Sequence, residues 1–339
     1  MNRKNLGLVF QTCAQPGCGR QGPDLFRCGA CRLVHYCGPE HQREHRASHK
    51  TSCNLVKQTR ASVEAAEAEL RSRPEDELAP ANVFANGVGR FWGLTPTRPY
   101  MQCLHDYMTA SLNLRTGEAV EGALTTSLEM LRLCRGDNQG VRSQVPVLYL
   151  RLGRDQEAFD FLKWYAVKGT AADYDWCDMS QPFLDLAGED AVLEDVSVPF
   201  KQVMDLSFLA SLTLLKTRLM LDLVALAQHE KMAWLREEAL SDILPARRDI
   251  VDRDDYRPLV RDVTEQVARA HQLTAHHNKH YWPSLERPEK YANAMPMAYS
   301  WGSREETVLA FRQTWYAWAE CAPALDTVRQ FAALASSSS

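Results

Sequence analysis

The chain has 339 residues, a hydrophobic content of 45% and a formal charge of −4. That length and apolar content fit one large domain or two ordinary ones with a real core. The near-balanced total excludes a general polyanion binder, although residues 1–57 carry nine Lys/Arg against Asp24, Glu40 and Glu44, a formal +6.

The chain opens with "MNRKNLGLVF", whose apolar stretch Leu6–Phe10 is too short for a secretory h-region. A soluble intracellular protein is expected, in the cytoplasm or the nucleus. In a reducing compartment its ten cysteines are metal ligands or core thiols, not disulfides. Six of them precede residue 54: Cys13, Cys18, Cys28, Cys31, Cys37 and Cys53. With His41 and His49 they read C-x4-C-x9-C-x2-C-x5-C-x3-H-x7-H-x3-C. Eight soft ligands in so short a stretch make two tetrahedral Zn²⁺ sites. Turns such as "QPGCGR" and "CGACR" let paired sulfurs converge on one ion. Pro39–Lys50 reads as helix, and His49 and Cys53, four apart, share a face. Spacing alone leaves open whether the two sites are interleaved or sequential.

These residues resemble a MYND zinc finger: paired cysteines, then "HYC", a ligand followed by Gln42, then "HKTSC". The resemblance spans Cys13–Cys53 and implies a cross-brace. Cys13, Cys18, Cys37 and His41 would hold one structural zinc, and Cys28, Cys31, His49 and Cys53 the other. It also implies protein ligands, including proline-containing peptides docked on the helix that carries Gln42. Two positions depart from the family pattern. His41 stands where a cysteine is usual, and Arg46 where a tryptophan is usual. The Trp→Arg departure points to peptides with acidic residues beside an apolar anchor. His45 is expected to be exposed or to support a ligand, with replacement of His41 as the alternative. His35 is expected to pack. Two Zn²⁺ and six thiolates bring the finger to about +4, and no aromatic stripe interleaves its basic residues, so nucleic acid is not the expected partner.

Residues 54–80 read as an Ala/Glu-rich helix that stops before Pro74, then a polar linker. From residue 81 to 335 the texture is helical throughout, with a short disordered tail at 336–339. "LRTGEAVEGAL" and "LRLGRDQEAFDF" align at an offset of 36 residues, with Gly117 over Gly153 and Glu121 over Glu157. "GSREETVL" repeats the relation at Gly302 and Glu306. Helical hairpins with a period of about 34 residues are tetratricopeptide-like. "FWGLTPTRPYMQCLHDYM" and "YLRLGRDQEAFDFLKWYA" resemble segments of fungal proteins that join a MYND finger to such repeats. The apolar run Leu206–Ala227 contains Lys216, Arg218 and Asp222, so it reads as a buried helix and not a membrane span. Cys103, Cys134, Cys177 and Cys321 read as small buried hydrophobes.

No catalytic motif stands out. "NGVGR" lacks the third glycine and helix of a nucleotide loop, and "HHNKH", with His276 and His280, reads as a solvated loop without the carboxylate of a zinc hydrolase. MYND fingers also occur in SET-domain lysine methyltransferases, but those need SET sequence on both sides of the finger and an N-H-x-C-like motif. The expectation is therefore a mostly α protein, an N-terminal two-zinc finger on an all-α repeat-like body. It would act as a non-catalytic interaction protein. A methyltransferase relative and a nuclear transcriptional regulator are the alternatives.

Overall fold

The structure is a computed structural model and describes residues 10–228, 238–292 and 294–337. It begins with a two-strand antiparallel hairpin, β1 (Phe26–Arg27) against β2 (His35–Tyr36), with Phe26 opposite Tyr36. A single helix, α1, then runs from Pro39 to Ser72. Pro39 at its first position costs no hydrogen bond there, and Pro74 just beyond its end blocks continuation.

The two segments that read separately as Pro39–Lys50 and the helix after residue 54 are thus one element. Thr51, Ser52, Cys53 and Asn54 are weak helix formers, and their propensity alone suggests a break. Tertiary contacts override it, because His49, Cys53 and Val56 are all buried on one side of α1. Further along, Leu70 is buried in the core of the body, and Val63 and Ala66 pack against that core. The polar linker is a tight turn: Arg73 pairs with Asp76, whose carboxylate accepts from the amides of Leu78 (2.9 Å) and Ala79 (3.0 Å).

The rest is helical: α2 (Val83–Asn86), α3 (Arg98–Leu112), α4 (Gly117–Leu133), α5 (Val145–Arg151) and α6 (Asp155–Lys163). Then come α7 (Leu206–Leu226), α8 (Ile243–Ala246), α9 (Arg248–Val251) and α10 (Arg257–His277). The chain ends with α11 (Tyr281–Ser284), α12 (Pro288–Ala292), α13 (Arg304–Ala319) and α14 (Ala322–Ser337). Each of α1, α3, α4, α5 and α6 packs on the next in that order, and α7 runs through the middle against α5, α6, α10, α13 and α14. Among the described residues, β1 and β2 are the only strands. No described helix is long and apolar enough to cross a membrane.

Helix α7 shows how the core admits polar groups. Eighteen of its 21 residues are buried. Ser211, Thr213 and Thr217 each donate to the carbonyl four residues back, at 2.7–2.8 Å. Buried Lys216 donates to the carbonyls of Ala191 (2.6 Å) and Glu194 (3.2 Å) and to the Gln266 side chain. Burial pulls its pKa down to about 7 against the opposing pull of Glu194 and Asp190. Arg218 donates to the Leu150 carbonyl at 2.8 Å and faces Asp155 at 3.3 Å.

The motif glycines sit at helix entries. Gly153 (φ +67°) and Gly302 (φ +73°) occupy left-handed backbone before α6 and α13. Gly117 has a different reason: a Cβ there would lie 2.6 Å from the Phe10 ring. "HHNKH" is only partly a solvated loop: His276 and Lys279 are exposed, but His276 and His277 end α10. His277 Nε2 lies 2.9 Å from Glu306, and buried Asn278 donates to Glu306 (2.9 Å) and to the Ser303 carbonyl (2.7 Å). His276 and His280 join no metal-holding group among the described residues. Of the scattered cysteines, Cys134 and Cys321 are buried, Cys103 is half-buried and Cys177 is exposed, so the expectation fails at Cys177.

Candidate metal centre

The ligands arrive from three kinds of local structure. Cys13 and Cys18 lie on a loop whose turns use left-handed Gly17 (φ +80°) and Gly19 (φ +63°), and the Cys13 amide bonds the Arg20 carbonyl at 2.9 Å. Cys28, Cys31 and Cys37 sit at the ends of the hairpin. The Cys28 amide donates to the Val34 carbonyl at 2.8 Å, which closes the Cys28–Cys31 turn. His41, His49 and Cys53 project from α1.

Two interleaved groups result. In one, Cys18 Sγ lies 3.7 Å from Cys37 Sγ, and His41 Nδ1 is 3.0 Å from Cys37 Sγ and 3.5 Å from Cys13 Sγ. In the other, Cys28 Sγ lies 3.6 Å from Cys53 Sγ, and Cys31 Sγ is 3.6 Å from His49 Nε2. Within each group all four ligand atoms fall within 4.8 Å of one another. A zinc–sulfur bond of about 2.3 Å gives a tetrahedral S···S edge of about 3.8 Å, so both groups are sized for Zn²⁺. They are too open for disulfides, which need about 2.05 Å. Both are Cys₃His sets, and His41 fills its place without help from His45.

Thiol electrostatics give the same reading. Burial would raise Cys13, but amide and side-chain hydrogen bonds from Cys37, Gln15, His41 and Cys18 bring it down to about 7. Burial would also raise Cys28, yet the amides of Cys31 and Ala30 lower it overall. Their neighbours go the other way. Burial together with adjacent sulfurs pushes Cys37 up to about 11 and Cys31 up to about 12. Within each group, one thiolate is favoured and the next is repelled. A divalent cation at the centre removes that repulsion.

Supporting groups surround the second set. Tyr36 Oη lies 2.9 Å from His45 Nδ1, and the His45 ring stacks on His49 at 5.4 Å and 16°. Burial lowers the His45 pKa, which keeps the ring neutral beside a metal ligand. Arg60 donates to the carbonyls of Ala30 (2.9 Å) and Cys31 (3.4 Å), bracing the Cys28–Cys31 turn from α1. Sequence reading missed Arg60, although it follows Cys53 by two helical turns on the same face.

The finger is also fixed to the body. Thr116 Oγ1 donates to the Leu33 carbonyl at 2.7 Å and accepts from the Ala119 amide, so one hydroxyl caps α4 and holds the finger. Glu118 accepts from the Gln11 amide at 2.8 Å and lies 3.4 Å from His35 Nδ1, while Arg27 Nε faces the other ring nitrogen at 3.3 Å. His35 is therefore a buried link between finger and body, more than a packing residue. Ala110 of α3 completes the finger core. Toward the start of α1, Gln42 is half-buried and Arg46 exposed, one turn apart.

The chain matches no curated protein and no solved structure. Residues 13–53 match the family model of the MYND finger, and with two Cys₃His clusters in place this segment is a MYND zinc finger domain.

Proposed function

We propose that the protein is a zinc-dependent protein–protein interaction adaptor without catalysis of its own. MYND fingers are interaction modules. The observation that carries the reading is the completeness of both ligand sets. Each set has four protein donors, which leaves no coordination position for water or substrate and makes the zincs structural. On the Gln42–Arg46 turn, Gln42 is half-buried and Arg46 exposed. Gln42 offers an amide to a peptide backbone. Arg46 offers a permanent cation with a planar fork of donors in place of an aromatic platform. The partner segment is then a peptide that pairs an apolar or proline anchor with acidic residues.

The body is tetratricopeptide-like in this reading. Consecutive helices pack in order, and Glu121 and Glu157, equivalent in the internal repeat, both pair with Arg154. The absence of strands from the described body supports a scaffold over a SET-type enzyme.

The test is a peptide library selected on the zinc-loaded full chain and on Arg46→Trp. Acidic flanking residues should be enriched on the wild type and lost on the variant. Identical preferences would remove Arg46 from recognition. Calorimetry with S-adenosylmethionine should show no binding; micromolar affinity would overturn the non-catalytic assignment.

A further inference from the structure

The helical body carries a groove that is independent of the finger. Two depressions of about 690 and about 600 Å³ share Gln139, Gly140, Leu309 and Gln313 as lining and so adjoin along one groove. Its two ends differ in chemistry.

The first end is aromatic. Tyr165, Trp176 and Phe208 form its wall, and Met204, Tyr299 and Trp301 stand at its rim with 55%, 55% and 61% of their surface exposed. Met295 and Met297 continue the same exposed run. Three large apolar side chains left open around one depression, Met204, Tyr299 and Trp301, are a recognition signature, since solvated surfaces seldom gather them. Trp301 is held in position by an edge-on contact with His277 at 5.7 Å. The acidic groups lining this end are already engaged. Asp137 accepts from the amides of Val141 and Arg142, Asp205 caps α7, and Glu306 is held by His277, Asn278 and the Gly302 amide.

The second end is cationic. His105, Arg115, Arg151 and Arg312 line it, and no lining residue is acidic. Arg115 and Arg151 both lie over the Tyr316 ring, at 4.6 and 5.4 Å. Arg151 is neutralised by Glu320, at 2.7 and 2.9 Å. Arg115 and Arg312 pair with no carboxylate among the described residues; Arg312 reaches only Met295 Sδ, at 2.6 Å. Side-chain amides of Gln139 and Gln313 line both ends, and Asn113 and Gln144 line the second.

We propose that this groove is a second docking site, for an extended acidic peptide segment of a partner protein, with an aromatic or aliphatic anchor at the Trp176–Trp301 end and carboxylates at Arg115 and Arg312. Two guanidiniums without partners match carboxylate geometry. The lining amides suit the alternating donors and acceptors of an extended backbone. A nucleic acid strand fits less well, because the first end sets the carboxylates Asp137, Asp205 and Glu306 against a single arginine, Arg142. This site does not depend on peptide binding by the finger.

The test is fluorescence anisotropy on the zinc-loaded full chain. The probe is a labelled short peptide with a Leu-Phe anchor and an Asp-Glu pair, made in both orders. Controls are its Lys-Lys twin, its Ser-Ser twin lacking the anchor, and an oligothymidylate of similar length. One order of the acidic peptide should bind, more weakly at about 200 mM than at about 50 mM salt. The double variant Arg115→Asn, Arg312→Glu should weaken it about tenfold or more. Asn suits the left-handed backbone at residue 115 (φ +53°). Trp301→Ser, at an exposed site, should weaken it similarly with an unchanged melting temperature. The losses caused by the double variant and by Trp301→Ser should persist in an Arg46→Glu background, which removes any binding of the probe by the finger. The proposal is overturned if neither order binds below about millimolar or the acidic and lysine peptides bind equally. It is also overturned if the double variant binds like wild type, if only Arg46→Glu abolishes binding, or if the oligothymidylate competes as well as the peptide.

Discussion

The finger and the body solve the folding problem by different means. Of the eight residues in the finger's buried cluster, four are zinc-ligand cysteines, and the apolar remainder is Val34, Tyr36, Val56 and Ala110. So small a cluster cannot offset the backbone entropy of ordering the segment, and metal coordination must supply the difference. The body buries Leu, Val, Phe and Trp in one cluster from Leu70 to Val328. What joins them is α1, which is a zinc-ligand helix at His41–Cys53 and a core helix at Leu70. The comparison shows that a metal domain can be mounted rigidly by extending its ligand helix into a neighbour's core.

The largest expected effect comes from removing one ligand. Cys53→Ser should lose the second zinc and unfold the finger, since structural zinc contributes on the order of 10 kcal/mol in isolated fingers. Elemental analysis should fall from two zincs to one or none, while most of the helical circular dichroism persists. Retention of two zincs would exclude Cys53 as a ligand.

The next effect falls on the junction. Ala65 is exposed in the middle of α1, between the ligand half and Leu70. Ala65→Pro should cost about 3 kcal/mol and uncouple the two halves, and Ala65→Gly about 1 kcal/mol as a graded control. Denaturant melts should show separate finger and body transitions for the proline variant. One unchanged cooperative transition would mean that α1 does not couple them.

The smallest effect is confined to the body. His271 stacks on Trp282 at 4.5 Å and 4°, its Nε2 is buried without a partner, and burial lowers its pKa to about 4. Because the folded pKa lies below the unfolded value of about 6.5, the unfolded state binds more protons between them. Stability from this site is present above about pH 6.5 and is lost as pH falls toward about 4. His271→Phe should flatten that part of the stability profile, and an unaltered slope would assign the acid sensitivity elsewhere.

The zinc ligands were legible in the sequence because thiols and imidazoles at chelating spacing have few other uses. Their pairing was not, since spacing permits both arrangements; it came from the family resemblance, and the geometry agrees. The continuity of α1 was hidden by Thr51–Asn54, where ligand and core contacts outweigh weak propensity. Asn278 and His277 were misread because their partner Glu306 lies 28 and 29 residues away. The groove could not be read at all: its lining comes from segments between His105 and Tyr316 that only the packing of α3, α5, α7 and α13 brings together. Thr116 and Glu118, which hold the finger, looked like parts of a repeat.

Hydrogen exchange on the full chain, before and after chelation of zinc, tests the central claim most directly. The account predicts that amides of residues 13–37 and the first turns of α1 lose protection, while the Leu70 end of α1 and helices α3–α13 keep theirs. Protection lost throughout the body, or kept throughout the finger, would contradict it.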